Sequence, residues 1–131
     1  MEPPQLAIRN VNVFDSAKGQ ITGPMDVAVQ DGLISSLTPS GSTEFAGDIT
    51  IDGTGKTLIP GLIDAHWHAV FTTISAETLE FGEIGYVFAR AVVSARETLL
   101  RGFTTVRDVG GPTLGIKQAI DEGAIQGPRI F

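Results

Sequence analysis

The chain contains no cysteine. That excludes disulfide frameworks, thiol nucleophiles and zinc sites built on thiolates, and it fits a cytoplasmic setting. Histidine is nearly absent too, with His66 and His68 making up the whole complement, and the lysines are Lys18, Lys56 and Lys117. Basic charge is in deficit: 9 Lys and Arg stand against 15 Asp and Glu, a formal charge of −6. Nucleic acid or an anionic membrane surface calls for a basic patch. The arginines closest in sequence, Arg90, Arg96, Arg101 and Arg107, are scattered, so neither partner is expected. No apolar run approaches the roughly 18 residues of a membrane helix. The N-terminus MEPPQLAIRN lacks a basic segment leading into an apolar one, so no secretory signal is read.

What is present is an ordinary globular composition. Hydrophobic residues make up 42%, charged residues 18%, and Gly and Pro number 16 and 7, which is neither a disordered nor a collagen-like balance. A length of 131 residues suits one domain, whereas a closed eight-stranded α/β barrel needs about 250.

Two patterns divide the chain near residue 57. Before it the signals are all β. Leu6, Ile8, Val11 and Val13 alternate, with a one-residue slip at Arg9-Asn10 that predicts a bulge. Met25, Val27 and Val29 alternate again, and Asp31-Gly32 before Leu33-Ile34 predicts a tight hairpin. Residues 38–47 read as loop, and Ile49 and Ile51 as a short strand closed by Asp52-Gly53-Thr54-Gly55. Residues 1–56 are therefore expected to form a small antiparallel β-domain with few bulky core residues.

From residue 57 to 131 strands and helices alternate. Leu58 to His66, entered through Pro60-Gly61, reads as a buried strand, and residues 72–83 as a polar connection. Ile84, Val87, Phe88, Ala91, Val92, Ala95, Leu99 and Leu100 recur at helical spacing, with Gly102 where a left-handed cap belongs. Phe103 to Val109 reads as a second strand, residues 113–122 as a short helix, and Gly127-Pro128-Arg129-Ile130-Phe131 as the start of a third strand. This order predicts parallel strands joined by helical crossovers. The third strand has barely begun where the sequence stops, so the chain is expected to be the N-terminal part of a longer protein.

His66-Trp67-His68 is the motif that carries chemistry. On a strand, residues i and i+2 share a face about 6.5–7 Å apart, and two imidazoles there can reach one metal at about 2.0–2.1 Å from each nitrogen. The plain alternative is a pair of hydrogen-bonded or solvated polar side chains at a strand end. The C-terminal end of a parallel strand is where α/β sites form, which favours the metal. Trp67 is expected on the opposite face, toward the helices. Asp64 shares the parity of the histidines and could orient an imidazole, or it could bond nearby backbone. Asp108, at the end of the next strand, is a candidate for contact with a metal ligand or substrate if it faces the site, and a loop-capping carboxylate otherwise. If it faces inward, Arg107 faces the helices; the opposite parity is equally consistent with the pattern. Gly110-Gly111 before a helix lacks the G-x-G-x-x-G spacing and reads as a strand-to-helix turn rather than a phosphate site.

The run Leu58-Ile59-Pro60-Gly61-Leu62-Ile63-Asp64-Ala65-His66-Trp67-His68 resembles the first barrel strand of the amidohydrolase superfamily. Ile8 to Asp15, Asp31-Gly32 and Ile51 to Lys56 resemble the small β-domain that precedes that barrel, and Gly102 to Asp108 its second strand. Together with Gly127-Pro128-Arg129-Ile130 these look most like the imidazolonepropionase-like and prolidase-like branch. The resemblance implies the start of a (β/α)8 barrel, its first two βα units, and a hydrolase with one or two divalent ions, zinc foremost. His66 and His68 would bind the more buried ion. It further implies a small-molecule amide, cyclic amide or Xaa-Pro dipeptide substrate, and it is compatible with a homo-oligomer. The family's remaining ligands and its general base come from later strands and have no counterpart here, so this chain alone is expected to be inactive. The competing reading is a noncatalytic β-rich binding or assembly module with an incidental metal site.

Overall fold

A computed structural model describes residues 5–42, 47–71 and 74–131. The chain forms two compact units, Met1–Pro60 and Gly61–Phe131. Among the described residues no helix is long and apolar enough to cross a membrane.

The first unit is a five-stranded sheet. It contains β1 (Leu6–Asp15), β2 (Gln20–Gln30), β3 (Leu33–Pro39), β4 (Ile49–Asp52) and β5 (Thr57–Leu58), in the order β3-β2-β1-β4 with β5 also paired to β1. Asp31 and Gly32 join β2 to β3 with φ of 52° and 74°, the pair of positive angles that a tight hairpin turn requires. The slip in β1 is a bulge: Ile8 pairs with Val27 and Val11 with Met25, leaving one extra residue on β1. Two features depart from the sequence pattern. Thr38 and Pro39 belong to β3 rather than to a loop, while residues 43–46 of the expected loop lie outside the described residues. More importantly, the sheet is mixed: β4 and β5 run parallel to β1. After β3 the chain returns to the starting end of β1 before entering β4, so the reversal that a hairpin makes locally is absent. The buried apolar side chains here are small, Ala7, Val11, Val27 and Ala28.

A carboxylate holds the bulge. Asp26, buried on β2, accepts hydrogen bonds from the Asn10 amide (2.9 Å), Arg9 Nη1 (2.9 Å), Ser40 Oγ (3.1 Å) and the Gly41 amide (3.2 Å). Asn10 sits at φ 55°, and its N–H, which the bulge removes from the ladder, finds its partner in Asp26. Donation from Asn10 above all, with Gly41, Arg9 and Ser40, lowers the Asp26 pKa from 3.8 to about 2. The folded-state pKa lies below the unfolded one. The stabilisation is therefore complete above about pH 4 and is lost as pH falls through about 2; at neutral pH it is worth about 2 kcal/mol. Asp26→Asn should lose about that much at pH 7 and flatten the acid limb of stability, as read by denaturant unfolding from neutral pH down to strong acid. An unchanged acid limb would contradict this assignment.

The second unit is a three-stranded parallel sheet, β6 (Leu62–Trp67), β7 (Phe103–Asp108) and β8 (Arg129–Ile130), in that order. Helix α2 (Ile84–Leu100) follows β6 and α3 (Leu114–Asp121) follows β7. Helix α2 begins where its periodicity predicts, with Gly102 just beyond its end at φ 95°. Its cap is Glu83, whose carboxylate accepts from the Gly85 and Tyr86 amides; those two bonds hold the Glu83 pKa below its ordinary value. The stretch read as a polar connection holds a further short helix, α1 (Ala76–Phe81), capped by Ser75 through the Thr78 amide; residues 72–73 of that stretch are not described. Six residues with no buried side chain leave little periodic signal.

The core of this unit joins Trp67 of β6, Val106 of β7 and Ile130 of β8 to Val87, Ala91 and Ala95 of α2 and Ile116 of α3. Helix α2 also buries Ser94 and Thr98, while Ile84 and Leu100 at its ends are mostly exposed. The strand expected from Leu58 to His66 starts only at Leu62, because Leu58 pairs with β1 as part of β5, and it is only half buried: Ile63, on the face of β6 opposite Val106's side, is 72% exposed. Its backbone entry is tight. A Cβ on Gly61 would sit 2.0 Å from Thr104 Oγ1, so only glycine lets the chain pass β7 here.

Candidate metal-binding site

The C-terminal end of β6 presents both histidines. Trp67, 5% exposed, is locked into the helix-facing core, and His66 and His68 flank it. Their rings lie 5.4 Å apart between centroids, edge to face at 76°. His68 Nδ1 is 3.0 Å from the Gly110 carbonyl oxygen. A carbonyl can only accept, so Nδ1 is the donor in this contact and carries a proton. This is the arrangement by which a backbone carbonyl selects the tautomer of a metal-ligating histidine.

Asp108 anchors the turn that supplies this carbonyl. Its Oδ1 accepts from the Gly110 amide (2.9 Å) and its Oδ2 from Thr113 Oγ1 (2.6 Å) and the Ala69 amide (3.1 Å). The carboxylate thereby ties the segment after His68 to the β7–α3 turn. Its Oδ1 also lies 3.8 Å from His68 Nδ1, too long for a hydrogen bond but a favourable electrostatic contact. Asp108 is thus a loop-capping carboxylate that reaches His68 through Gly110. Val106 on the same strand is buried with the helices, while Arg107 is exposed and donates its Nε to the Ala65 carbonyl at 2.9 Å. Of the two parities open from the pattern, the one with Arg107 away from the helices is observed.

Asp64 departs from simple alternation. It pairs with Val106, and Trp67 pairs with Asp108, so β6 carries one residue more than β7 between these points. This bulge puts Asp64 and Trp67 on the same side, beside Val106, and breaks the parity expected to group Asp64 with the histidines. Its Oδ1 accepts from the His66 amide at 3.0 Å, so it steadies the backbone of the histidine rather than its ring.

Among the described residues no three His, Cys, Asp or Glu side chains converge into a metal cage. The donor set is two imidazoles, one with Nδ1 committed to a backbone carbonyl, which suits half of a four-coordinate zinc-type shell. A cavity of about 160 Å³ lies behind the same turn, lined by Asp108, Gly110, Gly111, Leu114, Lys117 and Phe131 among others, with neither histidine in its wall. The roles of the Gly110 carbonyl and Thr113 escaped the sequence reading. The Asp108-x-Gly110 pair does carry the signature of a turn closed by an aspartate side chain.

A family model described as "Amidohydrolase family" matches residues 57–131. The chain is 43% identical over 70 residues to a 5-methylthioadenosine/S-adenosylhomocysteine deaminase of Desulforudis audaxviator, covering 52% of this chain and 16% of that protein. It is 35% identical over 120 residues to a dihydroorotase of Trichlorobacter lovleyi, covering 92% of this chain and 24% of the relative. A crystal structure of a prolidase complexed with N-methylphosphonate-L-proline matches with a TM-score of 0.80 at 29% identity, over 97% of this chain and 31% of that one. The chain therefore spans less than a third of each of these proteins.

Proposed function

This chain belongs to the amidohydrolase family, and we propose that it carries the first metal-binding strand of a hydrolase that cleaves a carbon–nitrogen bond in a small molecule. The observation that carries the reading is the pair at the end of β6: two imidazoles 5.4 Å apart, one with Nδ1 committed to a backbone carbonyl. In this reading His66 and His68 are two ligands of one divalent ion; imidazole donors suit zinc, though not zinc alone. When bound, that ion supplies Lewis acidity toward a carbonyl oxygen and lowers the pKa of water.

The chain's own residues do the positioning. The Gly110 carbonyl holds the His68 proton on Nδ1. Asp108 keeps Gly110 in place and, through the Ala69 amide, sets the path of the backbone leaving His68. Asp64 does the same for His66 through its amide. Trp67 and Val106 anchor both strand ends in the core. Substrates of the amide, cyclic amide or Xaa-Pro dipeptide kind fit this chemistry. The dihydroorotase and prolidase names accord with these kinds, and the deaminase name with the wider class of carbon–nitrogen bonds. Two ligands with no assigned proton acceptor do not make a complete site, and this chain by itself is proposed to be inactive.

The test is metal dependence in the full-length protein. Turnover on a panel of amides, cyclic amides and Xaa-Pro dipeptides should vanish after chelation and return on adding a divalent ion. Turnover that persists in protein shown to be metal-free would overturn the proposal.

A further inference from the structure

Phe71 lies three residues beyond His68, with its ring against the histidine: centroids 5.4 Å apart, planes tilted by 50°. It remains 46% exposed. The residues before it are not loose. Ala69 and Val70 are 0% and 1% exposed in the core, and the Ala69 amide is bonded to Asp108. The backbone that presents Phe71 is therefore tethered on the side of the histidine. The far edge of the ring meets the β7–α3 turn. A Cβ on Gly111 would stand 3.4 Å from Phe71 Cζ, an ordinary contact, so the turn lies against the aromatic edge, and it is the φ of 122° that favours glycine there. One side of the ring is thus packed between His68 and Gly111, and the remainder is exposed beside His68. A half-exposed aromatic ring held in place beside polar ligands is a ready surface for an apolar group of a bound molecule.

We propose that Phe71 is a specificity-determining residue, which receives an apolar, above all aromatic, substituent next to the scissile carbon–nitrogen linkage. This rests on the reading of His66 and His68 as metal ligands, because their ion fixes where that linkage sits.

The test uses two tetrahedral anions, methylphosphonate and benzylphosphonate, titrated calorimetrically into the full-length protein whose metal content has been measured. The expected result is roughly tenfold tighter binding of benzylphosphonate, the scale of one aromatic contact. In Phe71→Ala the ratio should fall to near one. Phe71→Leu, which keeps apolar bulk and guards against misfolding of the alanine variant, should give an intermediate ratio. Equal binding of the two anions by the parent protein, or an undiminished preference in Phe71→Ala, would overturn the proposal. The two readings fail separately. Metal content unchanged in both His66→Ala and His68→Ala would sink the metal assignment, and with it the placement of the linkage, whatever the benzyl ratio. Metal-loaded protein with no such preference would sink the role of Phe71 alone.

Discussion

Alanine at His66 or at His68 is expected to strip the divalent ion from the full-length protein and to take hydrolysis with it. Each substitution removes one bond to the same ion. Loss of a group that merely orients a ligand already costs about 10–100-fold in metal affinity or activity, so loss of a ligand should exceed that range for both. Metal per folded molecule and kcat/KM, measured on the same preparations, should fall together in the two variants. Full metal occupancy in either one would detach that histidine from the ion.

Alanine at Trp67, between them, should behave differently. Its ring is 5% exposed in a core shared with Val87, Ala91, Ala95 and Val106. Truncating a buried aromatic of this size costs about 3–5 kcal/mol, seen as an earlier unfolding midpoint in denaturant. The folded fraction should still bind its metal, because Trp67 offers no ligand and the tether from Gly110 to His68 remains. Metal loss without loss of stability in Trp67→Ala would mean that the facing of the strand has been assigned backwards.

What could be read from the sequence was local. The periodicity of Ile84 to Leu100, the Asp31-Gly32 turn and the slip at Arg9-Asn10 each depend on residues within a few positions of one another, and all appear in the structure; of the strand read from Leu58 to His66, the part from Leu62 onward does too. What was missed depends on distant partners. The parallel course of β4 and β5 is decided by where the chain lands after β3. Asp26 becomes a hub only because Arg9, Asn10, Ser40 and Gly41 arrive around it. At the site, the histidine pair was legible as a motif, but the face of Asp64 was not. The bulge that turns it toward Val106 is set by pairing with β7, which strict alternation within β6 cannot reveal. The hold of the Gly110 carbonyl on His68 spans 42 residues of sequence and leaves no local mark. Glu83 as a helix cap and the six-residue α1 were hidden for another reason: a glutamate is an uncommon cap, and so short a helix has almost no period to detect.

The joint ligation of one ion by His66 and His68 is tested most directly by anomalous diffraction at the metal edge, on crystals of the full-length protein. The expected result is a single peak about 2.0–2.1 Å from Nε2 of both histidines, with His68 Nδ1 still bonded to the Gly110 carbonyl. A peak bonded to only one of the two rings, or a metal held elsewhere with both rings turned away, would contradict it.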